Sequence, residues 1–204
     1  MLTNSRNTYG FVSKFLHWSV ALIIIGLLLL GYYLDELSYS ANQFTLIKLH
    51  KSFGLLILWL VAIRIIWNRI NRKPEPLFSH AKWEKLLAKS VHVFLYAAII
   101  GMPLSGWVMS MSGGYPVAFF GIDVPSFIGK NSDLNKLSWQ IHQILSYALI
   151  AGVLLHATGA LKHHFIDKDQ TLKRMVFRPK KVFIMLVVIM FIVFVGGLIR
   201  LLIF

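Results

Sequence analysis

His142 and His156 stand 14 residues apart inside one apolar stretch. At about 100° per residue, 14 residues make four full turns less about 40°, so both imidazoles project from nearly one helix face, about 21 Å apart along the axis. A bilayer's hydrocarbon core is about 30 Å thick, so one such helix holds a histidine near each membrane face. His17 and His50 each sit close to the start of another apolar segment. Four histidines on three membrane helices, paired by depth, are what two stacked bis-histidine haems need. Two neutral imidazoles give a six-coordinate haem iron, which carries electrons but has no open position for oxygen chemistry. The alternative for each histidine taken singly is an ordinary helix-end residue at the headgroup level. A zinc or non-haem iron site fits less well, because neither pair has the third ligand that such a metal wants.

The elements that must position these residues are membrane spans. The chain has 204 residues, of which 57% are hydrophobic and only 14% charged, and the apolar residues come in long blocks rather than in alternation. Five blocks reach the roughly 20 residues that a spanning helix needs. They run from about Phe11 to Leu34, Ile47 to Trp67, Val91 to Met111, Ile141 to Leu161 and Val182 to Phe204. The third contains Gly101 and Pro103, and the proline removes one backbone hydrogen bond. The expected class is therefore all-α, a polytopic transmembrane helical bundle. Lys14 precedes the long apolar run of the first block and no small-residue cleavage site follows it, so that run reads as a span and not a cleaved signal.

Charge orients the bundle. The connection after the second block carries Arg69, Arg72, Lys73, Lys82, Lys85 and Lys89, and the one after the fourth carries Lys162, Lys168, Lys173, Arg174, Arg178, Lys180 and Lys181. The other two connections hold only Lys48, or Lys130 and Lys136, with Asp35, Glu36, Asp123 and Asp133. The positive-inside bias then places the N-terminus in the cytoplasm and, after five spans, the C-terminus outside. The same bias accounts for the net charge of +13, and no basic stripe interleaved with aromatics points to nucleic acid. There is no cysteine, so disulfides, iron–sulfur clusters and covalent c-type haem are excluded, and any haem is held by side-chain ligands alone.

With this topology His17 and His156 share the inner depth, and His50 and His142, each opening its helix, share the outer one. His163 lies seven residues past His156, on the same face and about 10 Å nearer the cytoplasm. There it either hydrogen-bonds a quinone carbonyl and delivers protons, or contacts headgroups beside Lys162 and His164. His92 opens the third helix at the inner face and is equally open to both readings. Arg64, well inside the second helix, either pairs with a haem propionate or a quinone, or snorkels to the surface. Lys51, beside His50, is placed to meet an outer propionate or to draw an anion. Trp139 reads as an interface anchor, and His80 has no special role. Residues around Trp83 to Leu87 read as an interfacial run-in to the third helix, and the aromatic loop from Ser112 to Ser138 as lying on the membrane surface.

The stretches FLHWSVALIIIGLL, LIKLHKSFGLLILWLVAIRIIW, VHVFLYAAIIGMPLSGWVMS and, most strongly, LHATGALKHHFIDKDQTLKRM resemble the bacterial cytochrome b561 family. Within it they are most similar to the diheme superoxide:ubiquinone oxidoreductases, or superoxide oxidases. The resemblance covers about residues 7 to 178. It implies a four-helix diheme core, residues 1–178, in the bacterial inner membrane, with two non-covalent haem b groups between helices one, two and four. His17 and His156 would be the inner ligands and His50 and His142 the outer ones. His92, His163 and Arg64 would lie near an inner ubiquinone region. Residues 179–204 depart from that pattern as an additional C-terminal helix. The implied activity takes electrons from an outer-face donor, superoxide, through two haems to ubiquinone. The other reading is a membrane subunit that relays electrons between a periplasmic dehydrogenase or hydrogenase and the quinone pool.

Overall fold

The computed structural model describes residues 1–37, 41–75 and 81–177. The expected fifth segment from Val182 to Phe204, the whole of 179–204 and His80 lie outside the described residues. Four long helices follow one another: α1 (Phe11–Glu36), α2 (Ala41–Ile70), α3 (Lys82–Ser112) and α4 (Ser132–Phe165). All four are long and apolar enough to cross a membrane. Their outward faces carry large apolar residues with no protein over them, such as Leu29 (61% exposed), Trp59 (65%) and Leu154 (60%). In water that surface would be prohibitive; in lipid it is the expected solvent-facing side.

α2, α3 and α4 begin earlier than their apolar blocks, whereas α1 starts with its block at Phe11. α2 starts at Ala41, α3 at Lys82 and α4 at Ser132, so His50, His92 and His142 do not open their helices but sit two to three turns inside them. The reason is that hydropathy marks the hydrocarbon-crossing portion, whereas backbone hydrogen bonding continues through polar turns at the interface. The Trp83–Leu87 run-in is thus the first turn and a half of α3 itself. Asn131 caps α4, its side chain accepting the Leu134 amide at 2.9 Å.

α3 and α4 pack closely along their length, as do α1 and α2, while α4 stands off from α1 and α2. The core is a single layer halfway along the bundle, in which Val20 and Ile24 of α1, Ile57 and Val61 of α2, Leu95 and Ala98 of α3 and Leu149 of α4 meet. A short helix, α5 (Thr171–Met175), folds back beneath α4. Trp18 Nε1 donates to the Met175 carbonyl at 3.0 Å and Lys14 Nζ to that of Val176 at 3.1 Å, tying α5 to α1.

The long loop after α3 is partly ordered into a hairpin, β1 (Val117–Phe119) antiparallel to β2 (Ile122–Val124). Its two-residue turn puts Phe120 at φ 48° and Gly121 at φ 94°, the geometry of a type I′ turn. A phenylalanine there is strained. It is held by Ser52 of α2, whose hydroxyl accepts the Phe120 amide at 3.1 Å and donates to the Ala118 carbonyl at 3.0 Å, and by Phe53, whose ring lies 5.2 Å from that of Phe120. Ser52→Ala should therefore release the hairpin from α2 at a cost of about 1–2 kcal/mol. Hydrogen exchange of the Phe119 to Ile122 amides should accelerate roughly tenfold, and unchanged exchange would contradict the tether.

Candidate functional site

Four stripes of heptad spacing run down the helices and come into register as layers. On α1 they are His17, Ile24 and Gly31; on α2, His50, Ile57 and Arg64; on α3, His92, Ile99 and Gly106; on α4, His142, Leu149 and His156. Seven residues advance a helix about 10.5 Å and return it to almost the same face. The middle layer is the apolar core, with Ile24, Ile57 and Leu149 buried in it and Ile99 packed against it. The two end layers are the histidine sites.

At the end nearer the N-terminus, the His17 ring lies 6.1 Å from that of His156, centre to centre. At the hairpin end, His50 lies 6.3 Å from His142. Imidazole nitrogens bind a metal at about 2.0–2.1 Å, and each ring centre lies about 1 Å behind its nitrogen, so two rings on opposite sides of one metal sit about 6 Å apart. Both expected pairs are brought together, each with one ring from α4 and the other from α1 or α2.

The surroundings fit axial ligation. His142 Nδ1 lies 3.0 Å from the Met102 carbonyl and 3.1 Å from Ser105 Oγ, so that nitrogen carries the proton and Nε2 keeps its lone pair. The Nδ1 atoms of His17 and His50 are buried, and among the described residues no protein group hydrogen-bonds them. Gly31 and Gly106 are small for a reason. A Cβ at Gly31 would come within 3.4 Å of His50 Cε1, and one at Gly106 within 3.0 Å of His142 Cε1. Neither pair belongs to a three-ligand cluster among the described residues. Two imidazoles without a carboxylate are a donor set that would hold a haem, His17 with His156 and His50 with His142.

The N-terminal layer holds more than the expected pair. His92 reaches it from α3, its ring 5.2 Å from that of His156. Arg64 does not snorkel outward; its guanidinium lies 5.6 Å over the Tyr96 ring. Tyr96 in turn accepts from Asn68 Nδ2 at 3.2 Å. Tyr9, a residue that no spacing rule singles out, joins this group from the segment before α1. Burial pushes its phenol above the usual range, with the Arg64 and Arg174 guanidinium groups pulling against that, so it stays a neutral hydroxyl at pH 7. Asn4 anchors the segment, with Oδ1 accepting the Gly10 amide at 2.9 Å and Ser13 Oγ at 2.7 Å, and Nδ2 donating to the Arg72 carbonyl at 2.9 Å.

His163 is engaged by side chains from its own end of the chain. Its Nδ1 lies 2.8 Å from Asp167 Oδ2 and 3.0 Å from Asp169 Oδ2. Lys162 pairs with the same Asp167 oxygen at 2.9 Å and with Glu84 of α3. Asp169 also accepts the Thr171 amide at 2.7 Å, which starts α5. His163, Asp167 and Asp169 have ligand atoms within 4.8 Å of one another, but Lys162 already neutralises Asp167. At the hairpin end Lys51 Nζ donates to the Pro116 carbonyl at 3.3 Å and lies 5.9 Å over the Tyr115 ring. Trp139 is half exposed on α4, as an anchor would be.

Fold and site together define a class, the helical membrane protein with opposed histidine pairs at two depths. The comparisons with known proteins place the chain within it. Residues 8–178 match the family model described as prokaryotic cytochrome b561, and the chain belongs to that family. Cytochrome b561 homolog 2 of Escherichia coli K12 is 35% identical over 175 residues, 85% of this chain and 93% of the relative. Cytochrome b561 homolog 1 of the same organism is 29% identical over 85% of this chain and 99% of the relative. The probable superoxide oxidase CybB of Yersinia pestis is 30% identical over 81% of this chain and 93% of the relative. The family's work is membrane electron transfer and its usual cofactor is haem b.

Gly106→Val tests the close approach at His142. The side chain should push the ring off its position and lower the haem b content per purified chain, by the pyridine haemochromogen assay. Gly129→Val, in the exposed loop before α4 where a Cβ would meet nothing within 4 Å, should leave the content unchanged. Equal haem content in both variants would contradict the close approach.

Proposed function

We propose that the protein takes single electrons from superoxide at the hairpin end and delivers them to ubiquinone at the N-terminal end. The observation that carries this reading is the matched pair of opposed imidazoles, 6.1 and 6.3 Å apart, one at each depth. His50 and His142 hold one haem b, and His17 and His156 the other. A haem with two imidazole ligands takes up and releases one electron at a time while offering no open site to oxygen. The balance is two superoxide ions, one quinone and two protons giving two dioxygen molecules and one quinol.

The chain's own residues serve the two ends. Arg64, a cation within the membrane span and over the Tyr96 ring, would be the counter-charge for a haem propionate. His92 and His163 face the quinone, and His163 Nδ1 lies 2.8 Å from Asp167 Oδ2 and 3.0 Å from Asp169 Oδ2. At the other end Lys51, Lys130 and Lys136 attract the small anion. The positive-inside bias sets the N-terminal end in the cytoplasm of a bacterial inner membrane and the hairpin end in the periplasm. The name of the Yersinia pestis relative supports the choice of superoxide.

A second reading keeps the electron path and replaces the donor. The hairpin end exposes Tyr115 (65%), Ile122 (71%) and Phe127 (79%), the apolar rim that a docked periplasmic dehydrogenase or hydrogenase would cover.

Purified protein supplied with enzymatically generated superoxide should reduce ubiquinone at a rate that falls as ionic strength rises, and Lys51→Met should flatten that dependence. Inertness toward superoxide, with a stoichiometric redox partner co-purifying, would replace the first reading by the second.

A further inference from the structure

α3 holds the His142 ring at two of its atoms. At Cε1 there is no spare room, since a Cβ at Gly106 would come within 3.0 Å of it. At Nδ1 the ring meets the Met102 carbonyl and Ser105. The hydrogens there can be assigned. Ser105 Oγ donates to the Met102 carbonyl at 2.7 Å, which uses its one proton and leaves its lone pairs to accept. The His142 Nδ1–H is therefore shared between Ser105 Oγ at 3.1 Å and the Met102 carbonyl at 3.0 Å. Ser105 is buried, so water does not compete for that proton. The other three paired rings have nothing equivalent. Among the described residues, Nδ1 of His17 and of His50 is buried without an acceptor, and no ring nitrogen of His156 is hydrogen-bonded. The N-terminal level differs in charge as well, because the α2 stripe that begins at His50 brings the Arg64 cation to it.

We infer that Ser105 is a positioning residue which, with the Met102 carbonyl, sets the hairpin-end haem at a lower reduction potential than the N-terminal one. The inference rests on the proposed pairing of His50 with His142, and of His17 with His156, as haem ligands. An N–H drawn toward two acceptors leaves its imidazole more electron-rich at Nε2, the nitrogen that keeps its lone pair. Such an imidazole is the stronger donor to iron and favours the ferric state over the ferrous. At the other level Arg64 acts in the opposite sense. A cation inside a low-dielectric span favours the state that has gained an electron. The two devices add. An electron that arrives at the hairpin end is passed downhill to the N-terminal end, and its return is unfavourable.

The test is a potentiometric titration of the full-length haem-loaded protein in liposomes, with haem and protein quantified on the same sample. Wild type should give two one-electron waves at least about tenfold apart in equilibrium constant, which is about 59 mV. Ser105→Ala removes one acceptor and leaves the other. It should move the lower wave upward by about threefold, roughly 28 mV on the same scale, with the upper wave in place and both haems retained. Ser105→Cys, of similar size but a poor acceptor, should move the lower wave the same way by a smaller step. That variant decides the matter if Ser105→Ala loses a haem. A lower wave that stays or falls in these variants overturns the inference. So does movement of the upper wave alone, which would put Ser105 at the higher-potential haem, and so do wild-type waves closer than tenfold. Fewer than two haems per wild-type chain would instead overturn the paired-ligand reading itself.

Discussion

An imidazole placed inside a membrane bundle is a polar group with nowhere to put its second nitrogen, and a lone pair left unmet in hydrocarbon costs several kcal/mol. Four such rings here meet in two opposed couples, and the rest of the architecture follows from keeping them opposed. α4 supplies one ring to each couple and stands off from α1 and α2, which supply the others. α3 closes on α4 and orients it, through the Met102 carbonyl and Ser105 at one level and through His92 at the other.

The heptad spacing makes both couples possible at once. A 14-residue separation on α4 is two heptads, and the intervening layer of Ile24, Ile57 and Leu149 holds the two histidine levels apart with rigid apolar packing. Where a ring needs room the same stripes carry glycine, at Gly31 and Gly106. Where the arrangement gains a charge it carries Arg64, over Tyr96. Each stripe thus runs from one histidine level through an apolar layer to the other.

Much of this was legible in the residues. The four spans, the pairing of His17 with His156 and of His50 with His142, and the use of one helix face by His142, His156 and His163 all follow from spacing and hydropathy. Helix starts did not, because the polar turns ahead of His50, His92 and His142 are helical through backbone bonding that hydropathy does not register. Gly31 and Gly106 were findable, each lying two heptads from a histidine, His17 and His92, but a lone glycine has many explanations until the ring beside it is seen. Tyr9 and Asp169 were not. Their roles depend on how the N-terminal segment and the turn before α5 fold back, and those contacts are long-range in sequence or rest on an irregular turn. The hairpin was hidden for a similar reason, since Phe120 occupies a position that turn chemistry would give to glycine or asparagine.

Membership of the cytochrome b561 family makes the protein a membrane electron carrier; in the function proposed above, the two levels of paired imidazoles would carry electrons across the bilayer in two steps. That second statement is the centre of the account, and haem stoichiometry reaches it most directly. A reduced-minus-oxidised spectrum with haem and protein quantified on the same purified sample should show low-spin b-type bands and two haems per chain. One haem per chain, or none, would contradict it.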